Sequence, residues 1–244
     1  MTVKDILSEK MKKGALHMTL LDPAKQEPAV AAEITRTACE LGTDAIMVGG
    51  STGVTQENLD QTVQAIKAKV DVPVIYFPSG ANAISPYTDA MYFMSMLNSR
   101  NLRMVVGEQV AGAPIVRKLK LETISMGYII VAPGMKVGEV GQADVIPRDQ
   151  PKRAVAYALA AQYLGMDYVY LEAGSGAPQA VPEDMISAVR SAIDIPLLVG
   201  GGIRDAETAA RVKNAGASVV VTGTVVENGE YVARLEGIIR AVKS

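Results

Sequence analysis

Two acidic residues stand where an apolar run meets a turn. Asp22 closes the run Leu16–Leu21 and precedes Pro23, and Glu172 closes Tyr168–Leu171 and opens Ala173-Gly174-Ser175-Gly176. Asp22 is not an obvious helix cap, and Glu172 sits inside a glycine-rich turn, which leaves the carboxylates open to chemistry. Asp22 suits Mg2+, a hard cation commonly held by one or two protein carboxylates, water and substrate phosphate oxygens. Glu172 suits a substrate hydroxyl, which it can orient and deprotonate. Other run ends are rich in glycine: Gly49-Gly50-Ser51-Thr52, Gly200-Gly201-Gly202 and Thr222-Gly223-Thr224. Such turns present free backbone N–H groups to oxyanions. With Ser175 beside Gly201, Gly202, Gly223 and Thr224, they predict a phosphate site.

Other chemistries are excluded. His17 is the only histidine, so a His-rich metal site or a catalytic triad elsewhere is ruled out. It lies in an apolar run and reads as a buried structural imidazole. Cys39 is the only cysteine, which rules out an internal disulfide framework and a cysteine zinc cluster. It falls in a helical pattern and reads as a small buried hydrophobe. The spacing Gly134-x-x-x-Gly138-x-x-Gly141 lacks the Lys-Ser/Thr ending of a phosphate loop. It reads as a mobile loop over the pocket mouth. With 24 Lys+Arg against 26 Asp+Glu, the chain shows no electrostatic footprint for nucleic acid and no polybasic patch for a membrane. No stretch approaches the roughly 20 apolar residues of a membrane span. The start of the chain is charged, unlike a signal peptide. The expectation is a soluble, cytoplasmic protein without stable membrane insertion.

The elements that position these groups recur along 244 residues. Apolar runs occur at Leu16–Leu21, Ala45–Val48, Val74–Phe77, Ala90–Met94, Tyr128–Val131, Tyr168–Leu171, Leu197–Val199 and Val219–Val221. Being continuous rather than alternating, they read as parallel strands covered on both sides. Helical patterns separate them. In Glu27–Leu41 the residues Val30, Ile34, Ala38 and Leu41 share a face, Arg153–Leu164 repeats the design, and Asp205 is placed to cap Ala206–Ala215. Eight strands alternating with helices over about 250 residues predict a (β/α)8 TIM barrel. The alternative is an open doubly wound sheet.

An internal repeat favours the barrel. Gly42-Thr43-Asp44 recurs as Gly165-Met166-Asp167, 123 residues later, and Asp71-Val72-Pro73 recurs as Asp194-Ile195-Pro196 at the same offset. Residues 1–244 thus read as one domain of two half-barrels. Only Pro78 to Asp89 separate strands three and four, with Pro78, Gly80, Ser85 and Pro86 among them. A covering helix hardly fits there, so the third helix is expected to be reduced or missing, leaving a side opening.

The runs Met18-Thr19-Leu20-Leu21-Asp22-Pro23, Met47 to Gly53, Phe93 to Ser99, Tyr170 to Ala177, Val199 to Arg204 and Val221 to Thr224 resemble the geranylgeranylglyceryl phosphate synthase family. The likeness covers nearly the whole chain, and Tyr-Leu-Glu-Ala-Gly-Ser-Gly is specific to that family and its bacterial heptaprenylglyceryl phosphate relatives. It implies a Mg2+-dependent prenyltransferase joining geranylgeranyl diphosphate to sn-glycerol 1-phosphate, the first ether bond of archaeal membrane lipids. By the matching motifs, Asp22 and Ser51 would hold Mg2+. Tyr170, Leu171, Glu172, Ala173, Gly174, Ser175 and Gly176, with Gly201, Gly202, Gly223 and Thr224, would hold glycerol 1-phosphate. Asp22 and Glu172 would be the catalytic pair. The prenyl chain needs an apolar groove, for which Tyr76, Phe77, Tyr87, Met91, Tyr92 and Met94 are candidates. The family forms dimers or larger homo-oligomers.

The chain departs from its relatives at Asn101-Leu102-Arg103-Met104, where they tend to carry aromatics, and it has no Trp. That departure bears on the groove or on subunit contacts. Two further readings stand beside the main one: a phosphosugar isomerase or lyase barrel, and a prenylglyceryl phosphate synthase of another chain length. A non-catalytic phosphate-binding barrel would release no diphosphate.

Overall fold

A computed structural model describes residues 1–227 and 229–244. Its strands β1 (Leu16–Leu21), β2 (Ala45–Val48), β3 (Val74–Tyr76), β4 (Ala90–Met96), β5 (Glu122–Ile130), β6 (Tyr168–Glu172), β7 (Leu197–Gly200) and β8 (Val219–Thr222) pair in parallel and in chain order. The barrel closes where Leu16 of β1 meets Val219 of β8. The doubly wound alternative is thereby excluded.

Each strand feeds two apolar layers. Met18, Met47, Ile75, Tyr92, Met126, Tyr170 and Leu198 fill the barrel interior. Ile46, Val74, Val169, Leu171, Val199 and Val220 face outward against the helices. Alternate residues are buried on opposite faces, and for that reason the strands read as unbroken apolar runs.

Around the barrel run α1 (Val3–Met11), α2 (Pro28–Glu40), α3 (Gln56–Lys67), α4 (Glu108–Leu119), α5 (Met135–Val140), α6 (Pro151–Tyr163), α7 (Glu183–Ala192), α8 (Ala206–Asn214) and α9 (Val232–Lys243). Asp205 caps α8 as expected, accepting from the Thr208 N–H at 2.7 Å. Among the described residues no helix separates β3 from β4. The third helix is missing, and a π-helical turn at Arg103–Gly107 leads into α4 instead.

Three local expectations differ from the structure. Strand β5 begins at Glu122, well before Tyr128, because its polar residues are satisfied within the fold. Glu122 accepts from the N–H groups of Val3 and Lys4 at 2.7 and 2.9 Å, and Ser125 is bonded to Asp167. Helix α2 buries Ala31, Ile34, Thr35 and Ala38, whereas Val30 is half exposed. The buried face keeps Ile34 and Ala38 of the apolar stripe in the sequence, and Ala31, Ala32 and Thr35 stand in place of Val30. The Gly134–Gly141 segment is a short helix rather than a loop, with the Gly138 N–H bonded to the Gly134 carbonyl at 2.9 Å. A Cβ at Gly134 would press on Val145 and Ile130, and one at Gly141 would meet the end of the Met96 side chain.

The repeated Asp44 and Asp167 explain their own recurrence. Each ends the connection before a strand and accepts the N–H of a residue in the preceding strand, His17 and Ser125 respectively, at 3.0 and 2.9 Å.

His17 is fully buried, with its ring nitrogens 2.9 Å from the hydroxyls of Thr43 and Thr222. Burial pushes its pKa down to about 3, against the weaker pull of Asp44. The unfolded chain takes up a proton near pH 6.5 while the folded imidazole stays neutral. This group therefore removes stability as pH falls from 6.5 toward 3, at about 1.4 kcal/mol per pH unit. As the only histidine, it gives a single set of imidazole NMR resonances. These are expected to stay fixed between pH 8 and about 5; titration near 6.5 in the folded protein would refute the buried, neutral assignment.

Candidate active site

The carboxyl ends of the strands surround a cavity of about 270 Å3 with two chemically distinct ends. Asp22, Lys25, Gly50, Ser51, Glu172, Ser175, Gly223 and Glu227 line the polar end. Phe77, Ile84, Met91, Phe93, Met94, Met96 and Met104 line an apolar arm, which passes under α4 at Gln109 and Gly112. The arm lies on the side where the third helix is absent.

Glu172 ends β6, on the same inward-facing row as Tyr168 and Tyr170. Its carboxylate accepts from the Gly174 N–H at 2.6 Å. Burial raises its pKa to about 7, outweighing the bonds from Gly174 and Tyr170 that favour the charge. Tyr170 is raised as well, by burial first and then by the nearby Glu172 charge. Phe77, Tyr128 and Tyr170 pack beneath with ring centres 5.2–5.8 Å apart, an apolar floor that withholds water. The end of β7 makes room for the carboxylate. A Cβ at Gly200 would strike the Tyr170 hydroxyl, and one at Gly201 would strike Glu172.

The residues expected to form an oxyanion cradle lie on the neighbouring turns. The Ser175 and Thr224 hydroxyls are 3.1 Å apart. The N–H groups of Gly202, Gly223 and Thr224 have no backbone partner among the described residues. Arg204 reaches back to the Gly176 carbonyl at 2.7 Å and straps the β7 turn to the β6 turn.

Asp22 lies at the other side of the polar end, where its carboxylate accepts from the Ala24 N–H at 2.9 Å. Burial raises its pKa, opposed by that N–H and by Lys25. A Cβ at Gly50 would overlap this carboxylate, so the paired glycines after β2 let Asp22 stand beside the Ser51 turn. No cluster of three or more His, Cys, Asp or Glu occurs among the described residues. One carboxylate and one hydroxyl suit a hard cation whose remaining ligands are water and phosphate oxygens.

Several residues singled out from the sequence do not line the cavity with a side chain. Leu171 and Ala173 belong to the layer between barrel and helices. The Gly174 N–H is already committed to Glu172. Of the groove candidates, Phe77, Met91, Tyr92 and Met94 line the cavity, whereas Tyr76 is buried in the outer layer and Tyr87 is exposed at the surface. Lys25, Glu108, Lys136 and Glu227 line the cavity without having been foreseen. Only Lys25 carried a signal, lying three residues past Asp22 in the same turn. The others arrive from elements distant in sequence.

A model of the PcrB family matches residues 4–244. The chain belongs to the PcrB family. Among relatives, the PcrB-family chain is 52% identical to a geranylgeranylglyceryl phosphate synthase of Pyrococcus furiosus, over 98% of this chain and 97% of that protein. It is 53% identical to one from Methanosarcina acetivorans, over 95% and 94% of the two chains. Its structure is similar to that of (S)-3-O-geranylgeranylglyceryl phosphate synthase from Thermoplasma acidophilum, crystallised with its substrate sn-glycerol-1-phosphate. That match has a TM-score of 0.97 at 47% identity, covering 100% of this chain and 99% of the other.

Proposed function

We propose that this PcrB-family protein is a prenyltransferase joining geranylgeranyl diphosphate to sn-glycerol 1-phosphate, with release of diphosphate. The observation that carries the reading is the position of Glu172, a buried carboxylate between an oxyanion cradle and an apolar arm. A phosphosugar isomerase would leave that arm unused. Relatives at 50% identity and above carry the same reading in their names.

The cradle of Ser175, Gly202, Gly223 and Thr224 would hold the phosphate of glycerol 1-phosphate. Glu172 would accept from its free hydroxyl and take the proton. The apolar arm would take the prenyl chain and exclude water from the allylic carbon. There the bond to the diphosphate oxygen breaks and the ether bond forms. Asp22 and Ser51 would hold Mg2+, which supplies charge neutralisation for the departing diphosphate.

The apolar residues Leu102, Val106 and Val110 are 72, 45 and 68% exposed at four-residue spacing from the π-helical turn into the first turn of α4, which supports a homo-oligomer. No helix among the described residues is long and apolar enough to cross a membrane.

Incubation with glycerol 1-phosphate, Mg2+ and a ladder of prenyl diphosphates, read by mass spectrometry, tests the reading. The expected product is a prenyl ether of glycerol phosphate, formed best with the twenty-carbon donor. A best donor of another length would move the protein to a sister activity. Absence of diphosphate release with every donor would refute prenyl transfer.

A further inference from the structure

Prenyl transfer expels a diphosphate, yet the cavity is poor in groups that could receive it. Its lining includes four carboxylates, Asp22, Glu108, Glu172 and Glu227, against two ammonium groups, Lys25 and Lys136. Lys136 is 64% exposed on α5, near its own helix neighbour Glu139 at 3.4 Å. Lys25 is placed differently. Its backbone N–H bonds to the Asp22 carbonyl at 3.0 Å, and its charge favours the ionised Asp22 carboxylate. Its Nζ reaches the Glu227 carboxylate at 2.8 Å. Glu227 ends the short turn Thr224–Glu227, which begins at the oxyanion cradle. Lys25 thus spans the gap between Asp22 and the β8 turn.

Resting on the proposed function, we propose that Lys25 is the side chain that binds the departing diphosphate, and that Glu227 holds it in the ligand-free protein. Both partners are partly exposed, at 48 and 30%, and such a pair adds little to stability. A diphosphate carries more negative charge than one carboxylate and accepts several N–H bonds, so it competes successfully for the ammonium group. The chemistry balances without a redox partner. Both electrons of the allylic C–O bond leave with the diphosphate oxygen, whose new charge faces Lys25. The glycerol oxygen forms the ether bond, and its proton passes to Glu172. Glu227 then recaptures Lys25 as diphosphate departs.

The test is titration calorimetry with inorganic pyrophosphate and Mg2+, together with product-inhibition kinetics. Lys25→Met is expected to weaken pyrophosphate binding and inhibition by about tenfold or more, the scale of a lost charge-assisted bond. kcat should fall while the KM for glycerol 1-phosphate stays within about twofold, since uniform binding of that substrate is untouched. Lys25→Arg should restore most of the pyrophosphate affinity. Glu227→Gln should tighten pyrophosphate binding several-fold by freeing the ammonium group. Unchanged pyrophosphate binding in Lys25→Met would overturn the proposal, and so would a rise confined to the KM for glycerol 1-phosphate. Equal weakening by Glu227→Gln would also overturn it, by making the pair a structural unit. If the unaltered protein neither bound pyrophosphate nor released it from any prenyl diphosphate, the prenyltransferase reading itself would fail.

Discussion

Replacing Asp22 by Asn is expected to lower turnover by about 10³-fold or more while leaving glycerol 1-phosphate binding close to that of the unaltered protein. The size follows from the several kcal/mol that a metal ion contributes to a transition state building negative charge on a leaving group. Asparagine keeps the shape of the side chain and can still accept from the Ala24 N–H, so local structure has no reason to change. The loss is confined to the charge that would hold Mg2+. The cradle on the β6, β7 and β8 turns contains no part of Asp22, so calorimetry with glycerol 1-phosphate should see little difference. Turnover within tenfold of normal would remove Asp22 from the metal site.

The second large effect belongs to Glu172. Its pKa of about 7 makes proton acceptance sensitive to pH in the ordinary working range. The ionised form is the acceptor. Hence kcat/KM should be flat above about pH 7 and fall tenfold per unit below it, a profile that reports the free protein. Glu172→Gln keeps one acceptor oxygen but no basicity, and kcat should drop by about 10²-fold or more, the scale of general-base catalysis. The limb near pH 7 should vanish with it. A limb that persisted in the variant would instead belong to the substrate phosphate, which titrates in the same region, and would refute the assignment to Glu172.

Stability should respond in the opposite sense. The folded carboxyl ionises near 7 and an unfolded one near 4.5, so the folded state binds the extra proton between these values. Stability is therefore lost as pH rises from 4.5 through 7. Glu172→Gln removes that loss, and the variant should melt above the unaltered protein at pH 8, with the advantage fading by pH 4.5. A rise in KM alone, with kcat and the pH profile unchanged, would mean that Glu172 only binds substrate.

Both effects hinge on a carboxylate whose position, but not whose acidity, was visible in the amino-acid order. Strand ends, the alternation of strand and helix, and the dozen residues too few for a third helix were all legible. These are local matters of periodicity, turn chemistry and chain length. The same holds for the glycine-rich turns, since the lack of a side chain at Gly50 and Gly201 is itself the message. Leu171 and Ala173 enter the expected site only as members of the Tyr170 to Gly176 motif. Strand alternation and outward packing send them into the layer beneath the helices.

What the sequence determined by itself is a parallel barrel with acids and glycine-rich turns at one rim, because strand periodicity and glycine turns act over a few residues. What only the tertiary structure decided is how that rim works. Burial over the Phe77, Tyr128 and Tyr170 floor sets the proton affinity of Glu172, and closure of β8 onto β1 brings Glu227 to Lys25 from 202 residues away. Desolvation and charge pairing depend on distance in space, and folding alone creates those distances.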